Sequence, residues 1–175
     1  ARRMVNHFGG QSLEVMEKEP HRLSEVPGIS AAKAQRIGEE YTRLFGIRTV
    51  MLFLTDCGLE PSTAIKVWKR WGPPSVELIR DNPYILCCDE IGLDFEEVDE
   101  QMSERFQIPW ESYKRLSAGV RYILRHNSRQ GHTCLPRSTL EDFSAQYLKI
   151  SKEKVQDTLA EMEENRDLVA YEAGG

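Results

Sequence analysis

A Pro-Gly corner near the start of the chain carries the residues best suited to chemistry, and that chemistry is anion binding. Ser30 follows the corner and is a favourable cap for the helical pattern that begins there. Amide groups at the start of a helix point outward and the helix dipole adds positive charge, so a phosphate can dock there. Lys33 and Arg36 would add charge-assisted contacts. The predicted phosphate site comprises Pro27, Gly28, Ile29, Ser30, Lys33 and Arg36.

Similar glycine corners recur at Gly58 and Gly92, and each glycine is followed by an aliphatic residue. The glycines are 30 and 34 residues apart. Repeats at such spacings are typical of stacked supersecondary units, and each unit is predicted here as helix, corner, helix. Pro61 and Asp94 are suited to the start of the helices that follow the second and third corners. Residues 8–20 also resemble residues 71–83, since Phe8-Gly9, Ser12 and Pro20 parallel Trp71-Gly72, Ser75 and Pro83.

The three corners differ in charge. Lys66 and Lys69 follow Gly58 and extend the predicted phosphate site to the second corner, although Glu60 weakens it. The third corner carries acidic residues in its first helical turn, where carboxylates satisfy the dipole and repel a phosphate. We therefore interpret this third corner as structural or as the face for a protein partner. Its acids are Asp94, Glu96 and Glu97.

The second half begins with a long amphipathic helix after Trp110, with arginines 115, 121, 125 and 129 on its polar side. Two shorter helical patterns follow, and residues 168–171 have the composition of a strand. This order predicts a small winged-helix-like unit. Its polar faces are acidic, which argues against duplex binding there. The predicted fold class is all-α with minor β, in two regions, 1–106 and 107–175.

Composition narrows the function classes. The chain has 175 residues, a net charge of −5 and four cysteines, with no apolar run of membrane length and no signal peptide. A cytoplasmic protein is the expectation. The charge is segregated: residues 89–104 hold eight acids and no base, whereas residues 105–137 hold seven basic residues and one acid. The first residue is Ala1 within a helical pattern, which indicates a fragment of a longer protein.

Catalytic and metal sites are not predicted. The chain has no GxxxxGK[ST] phosphate loop and no paired-carboxylate nuclease cluster, and the adjacent Cys87 and Cys88 do not form a CxxC metal motif. His132 could be catalytic, but a bracing role at its corner is preferred. Trp68, Trp71 and Trp110 could stack on bases, with core packing the preferred role for Trp71.

The first corner resembles the helix-hairpin-helix motif, on the strength of Val26-Pro27-Gly28-Ile29 and Ala34, with Ser30 in place of the second glycine of the motif. That resemblance implies binding of a DNA backbone without sequence specificity. Taken whole, the chain resembles the N-terminal region of RecD-like DNA helicases that act without RecBC. The segments that carry this resemblance are Val50–Leu54 with Cys57-Gly58-Leu59, Arg115–Gly119, and Gly131-His132-Thr133 with Leu135-Pro136.

The family resemblance implies that an ATPase motor follows this region and moves 5′ to 3′ along single strands with ATP and Mg²⁺. Some members are named the alpha chain of exodeoxyribonuclease V, and the implied context is DNA repair and recombination. The fragment itself is expected to need no cofactor and to have no enzymatic activity. Its expected partners are single-stranded or junction DNA and the motor domains of its own chain. The alternatives are a protein-interaction module that uses the hairpins as scaffold and, least favoured, an independent enzyme.

Overall fold

The protein is all-α over the part of the chain that the structure, a computed structural model, describes: residues 2–129 and 134–171. The chain divides into two compact units, residues 1–76 and 77–175. This division lies earlier than the 106/107 boundary expected from the sequence, because α6 (Phe95–Met102) is bonded to α7 (Tyr113–Arg129) through Asp99 and Arg115. DNA binding by residues 1–106 stays a prediction. No helix within the described ranges is long and apolar enough to cross a membrane.

The first unit is organised by one long helix. Helices α1 (Arg2–Phe8) and α2 (Ser12–Lys18) precede a 3₁₀ segment at Pro20–Glu25, and the Pro-Gly corner leads into α3 (Ala31–Asp56). The 26 residues of α3 reach from the first corner to the second, so one helix serves both predicted units. A second 3₁₀ turn, Pro61–Thr63, leads into α4 (Ala64–Trp71).

Two glycines let other elements approach α3 closely. A Cβ at Gly38 would lie 2.3 Å from the Pro20 Cβ, and one at Gly46 would lie 2.0 Å from the Trp68 ring. Ala34 and Ala64 are also fully buried, and their small side chains allow close packing. The core beneath the first corner consists of Met4, Val15, Leu23, Val26 and Ala34.

The second unit contains a 3₁₀ segment at Pro83–Cys87, then α6, α7, α8 (Arg137–Leu148) and α9 (Lys152–Glu164); α5 (Ser75–Asp81) crosses the division between the units. Its main core is formed by Val120, Ile123, Leu140, Val155, Leu159 and Met162. A Cβ at Gly119 would lie 2.4 Å from a methyl carbon of Leu148, so α7 and α8 also meet closely.

Three helix-start predictions are confirmed. The Lys33 N–H donates to the Ser30 hydroxyl at 3.3 Å, and the Glu96 N–H donates to the Asp94 carboxylate at 3.0 Å. Pro61 is the first residue of the 3₁₀ turn Pro61–Thr63, which leads into α4. The similarity between residues 8–20 and 71–83 is also present in the backbone. Gly9 and Gly72 both have positive φ, and the Ser12 and Ser75 hydroxyls donate to the carbonyls of Gly9 and Gly72, respectively.

The strand predicted at residues 168–171 is wrong. The chain leaves α9 through a turn at Arg166, whose φ is +59°, and the N–H groups of Asp167 and Leu168 both donate to the Met162 carbonyl. No strand lies elsewhere in the described ranges to pair with this segment, and Val169 and Tyr171 are exposed. A β-rich composition without a partner strand forms no ladder, so no β-wing is present in residues 168–171.

Candidate nucleic-acid interface

The first corner is an exposed tight turn. The Ile29 N–H donates to the Val26 carbonyl at 3.1 Å, with Pro27 and Gly28 in between. Gly28 is the third residue of this turn and has a φ of +88°. A turn with proline second and glycine third is of type II, which requires a positive φ at the third residue. Pro27, Gly28 and Ser30 are exposed, whereas Ile29 is half-buried against the core of the first unit. The corner is therefore open to solvent on its outer side and anchored by Ile29 on its inner side.

Several backbone donors at this corner have no internal acceptor. The first hydrogen bond of α3 runs from the Ala34 N–H to the Ser30 carbonyl at 2.8 Å, and Ser30 caps the Lys33 N–H. Within the described part of the chain, no acceptor is bonded to the N–H groups of Gly28, Ser30, Ala31 and Ala32. Unsatisfied amides at a helix start are the donors that bind an anionic oxygen.

Arg3 is a functional candidate that sequence reasoning missed. Its Nη1 donates to the Pro27 carbonyl at 3.4 Å and would lie 3.2 Å from a Cβ placed on Gly28. Arg3 reaches the corner because Met4, its neighbour on α1, is buried in the same core as Val26. No local pattern links two residues 24 positions apart, so only the tertiary fold reveals this cation beside the open amides.

Lys33 and Arg36 are exposed side chains on the first turns of α3, as predicted. Neither makes an ion pair with any residue in the described ranges, so their charges stay available to a ligand. Further along the same helix, Arg43 differs, since it donates to Glu40 at 2.6 Å. The nearest preceding acid, Glu25, is bound by Arg22 at 3.1 Å, which reduces its repulsion of an anion.

The second corner has few free donors. Gly58 is exposed with a φ of +76°, but its N–H donates to the Thr55 carbonyl, and the Leu59 N–H donates to the Leu54 carbonyl. This pair closes the end of α3 in the manner of a Schellman motif. The next helix start is occupied as well, because Pro61 lacks an N–H and the Glu60 carboxylate caps Ser62 at 3.3 Å.

The cations predicted for the second corner, Lys66 and Lys69, are exposed on α4. They lie past a helix start that already carries its own carboxylate, Glu60. Any contribution from these lysines to phosphate binding would therefore be by charge alone, without the backbone amides of Gly58.

The third corner repeats the first in backbone form but reverses its electrostatics. Gly92 has a φ of +82°, and its N–H donates to the Cys88 carbonyl at 2.8 Å. Asp94 caps α6, and Glu96 and Glu97 occupy the first turn of that helix. The Gly92 amide is therefore bonded internally, and three carboxylates replace the cations of the first corner.

Part of the chain matches a known protein family. Residues 43–134, just over half of the chain, match the model of the "ATP-dependent RecD2 DNA helicase HHH domain". The chain belongs to this family. The matched range includes the second and third corners and begins after the first, so the first corner is assessed by its geometry.

A curated relative shows how much of such a helicase the chain represents. This chain is 24% identical over 152 residues to the ATP-dependent RecD2 DNA helicase of Deinococcus radiodurans, and the alignment covers 86% of this chain. It covers 21% of the relative, so the chain spans about a fifth of that protein's length. No solved structure matches the chain.

The basic residues of α7 in this RecD2 family chain are largely paired. Arg115 was predicted on the polar side of α7, which is wrong: its side chain is 3% exposed and donates to Asp99 at 2.8 Å. Arg121 pairs with Asp167 at 2.7 Å and Arg125 with Asp89 at 3.0 Å. The local excess of basic residues seen in the sequence is therefore offset by acids brought in by the fold.

The tryptophans have defined packing roles. The Trp68 ring lies against Gly46, and Arg70 lies over the ring of Trp71 at 5.5 Å. Trp110 is 50% exposed, with Arg115 stacked 3.6 Å from its ring centre. Base stacking by these residues stays a prediction.

The remaining candidates for chemistry are cysteines, one histidine and metal ligands. His132 lies outside the described residues. Burial raises the pKa of the Cys87 thiol to about 12, which keeps it protonated and unreactive at neutral pH. Within the described ranges no group of three or more His, Cys, Asp or Glu side chains could hold a metal ion.

Proposed function

We propose that the chain is an accessory DNA-binding region of an ATP-dependent RecD2-type helicase and that it contacts the DNA backbone at the first corner without reading sequence. The supporting observation is the group of open amides at Gly28, Ala31 and Ala32, next to unpaired cations. Amides and cations hold a phosphate oxygen but do not contact a base edge, so this arrangement positions DNA without specifying sequence.

Three cations would act with the amides. Arg3 reaches the corner from α1, and Lys33 and Arg36 lie on the helix that the amides begin. We propose that they engage two to four phosphates of single-stranded or junction DNA. The second corner would add only the charge of Lys66 and Lys69, and we expect no phosphate contact at the acidic third corner. In this proposal the glycine corners form tandem helix-hairpin-helix units of unequal function.

The helicase activity of the full-length protein is part of the proposal, and the motor domains of the same chain would be the direct partners of this region. We expect ATP to bind outside this region, because its sequence has no GxxxxGK[ST] phosphate loop. Mg²⁺ and ATP would therefore be bound by the motor. A role in cytoplasmic DNA repair or recombination follows from the same assignment.

A salt titration tests the proposal. Fluorescence anisotropy of labelled single strands of two unrelated sequences should show binding at low salt with equal affinity for both. With two to four phosphates engaged, the log–log slope should lie at about −1.5 to −3. Failure of both strands to bind at low salt would contradict the proposal and favour the interaction-module alternative.

A matched pair of arginines locates the contact. Arg36→Gln should reduce the magnitude of the salt slope by about 0.7, the value of one single-strand phosphate contact. Arg43→Gln removes the same charge two turns along the helix, from a side chain already paired with Glu40. We expect Arg43→Gln to leave the slope unchanged. Equal effects of the two substitutions would indicate general attraction rather than a site at the first corner.

A further inference from the structure

A cavity in the second unit has a composition unlike that of the first corner. It has a volume of about 540 Å³ and lies between the first turn of α6 and the facing sides of α7 and α8. Its lining combines aromatic rings with one carboxylate and two side-chain amides. The residues that matter are Glu96, Tyr122, His126, Asn127, Phe143 and Tyr147.

The aromatic part of the lining is rigid. The rings of Tyr122 and Tyr147 stack with centres 5.5 Å apart and planes 16° apart. Phe95, which is buried, contacts both rings at centre distances of 6.0 and 6.1 Å. Phe143 also lines the cavity and remains 48% exposed. The cavity therefore offers preformed aromatic surface to a ligand.

Two of the polar side chains of the cavity have an oxygen left to accept a hydrogen bond. The Tyr147 hydroxyl donates to Glu96 Oε1 at 2.8 Å, and no hydrogen bond to the other Glu96 oxygen is present in the described ranges. Burial and the hydrogen bond to Glu96 raise the pKa of Tyr147, which keeps its hydroxyl a donor to that carboxylate. Asn127 donates through Nδ2 to the Ile123 carbonyl at 2.9 Å, so its own oxygen is left to accept. A ligand with several donors can therefore bond to Glu96 and Asn127.

The charge around the cavity selects a cation. Residues 89–104 hold eight acids and no base; among them, Asp89 and Asp99 are paired with Arg125 and Arg115. The charges of Asp94 and Glu96, at the start of α6, act on Tyr122, whereas Arg129 acts in the opposite sense. His126 is the basic side chain of the lining. A nucleic-acid phosphate would meet mostly negative charge here.

We propose that this cavity binds an arginine side chain of a partner protein. A guanidinium is planar and stacks on aromatic rings, and its fork of donors matches a carboxylate such as Glu96. Arginine is preferred over lysine because only the guanidinium can stack and donate in two directions at once. The proposal is independent of DNA binding at the first corner, since none of the lining residues belongs to that corner.

Peptide titration of the 175-residue chain by NMR tests this proposal. The probes are acetyl-Gly-Arg-Gly-amide and its lysine and citrulline counterparts. The arginine peptide should shift backbone amide signals of the lining residues and bind at least about tenfold more tightly than the uncharged citrulline peptide, as expected for a charge-assisted hydrogen bond. Equal binding of arginine and citrulline, or of arginine and lysine, would overturn the assignment.

Two substitutions complete the experiment. Glu96→Gln should weaken arginine-peptide binding about tenfold, and Phe143→Ala, at an exposed position, should weaken it without unfolding the chain. Glu100→Gln is the control: it removes the same charge one turn along α6 from a side chain that does not line the cavity. Thermal melting establishes that each variant is folded. An effect of Glu100→Gln equal to that of Glu96→Gln, or signals that shift with a single-stranded oligonucleotide instead of the peptide, would contradict the proposal.

Discussion

The first and third corners have the same backbone form and opposite electrostatics. Gly28 and Gly92 have φ values of +88° and +82°, and Ser30 and Asp94 follow as the caps of α3 and α6. The Gly28 amide has no acceptor in the described ranges, whereas the Gly92 amide is bonded to the Cys88 carbonyl. A glycine corner before a helix is therefore not by itself an anion site. The two corners differ in the bonding of the glycine amide and in the charges that follow it.

The two corners also differ in how they are held. The third is tied to a buried network in which the Asp99 carboxylate accepts from Arg115 at 2.8 Å and from the Tyr84 hydroxyl at 2.6 Å. Position 35, which lies as far beyond Ser30 as Asp99 lies beyond Asp94, is an exposed glutamine bonded to Glu39. The third corner is therefore held by an ion pair that has no counterpart at the equivalent position of the first corner.

The largest expected effect comes from breaking that network. Asp99→Ala leaves the Arg115 charge buried without its partner, and we expect a loss of about 3–5 kcal/mol in the free energy of unfolding. Gln35→Ala, at the equivalent position of the first corner, should change stability by less than about 0.5 kcal/mol. Urea denaturation followed by tryptophan fluorescence measures both. A loss below about 1 kcal/mol for Asp99→Ala would show that the third corner does not depend on this ion pair.

The chain's local features could be predicted from sequence. Ser30, Pro61 and Asp94 start their helices as expected, because a cap depends on residues within one turn. The positive φ of the corner glycines follows equally from local sterics. The helix over residues 113–129 is also where its apolar spacing places it.

Features that depend on distant residues could not be predicted. The position of Arg3 at the first corner is set by packing of α1, and the burial of Arg115 is set by Asp99 on another helix. The continuous length of α3 was not predicted, and Gly38 and Gly46 lie within it as contact points for Pro20 and Trp68. The failed strand at 168–171 has the same origin, since a strand needs a partner outside its own sequence.

Exchanging the caps gives the next largest effect. Ser30→Asp should keep the cap of α3 and leave stability unchanged or slightly raised, since aspartate is an equally good cap near a helix dipole. The added carboxylate would face the open amides and repel phosphate, and we expect DNA affinity to fall about tenfold, which corresponds to about 1.4 kcal/mol. Anisotropy and thermal melting of the same variant separate the two quantities.

Ser151→Asp is the matched control for this exchange. Ser151 caps α9 by accepting from the Lys154 N–H at 3.2 Å, the same geometry as Ser30 and Lys33 at 3.3 Å. It adds the same charge at an equivalent cap outside the proposed interface. If both substitutions weaken DNA binding equally, net charge explains the effect and the first corner has no special role.

The smallest expected effect distinguishes the two glycines themselves. Gly28→Ala and Gly92→Ala both place a side chain in a left-handed conformation, and each should cost about 1–2 kcal/mol of stability. A Cβ at Gly92 would meet its nearest atom at 3.9 Å, an ordinary contact, whereas a Cβ at Gly28 would lie 3.2 Å from Arg3 Nη1. Only Gly28→Ala should therefore displace a cation from the corner, and only that variant should lose DNA affinity, to the same extent for every oligonucleotide sequence. A loss that varies with sequence would mean that the corner contacts bases. That result would contradict the proposal, because amide and guanidinium donors that bind a phosphate do not read sequence.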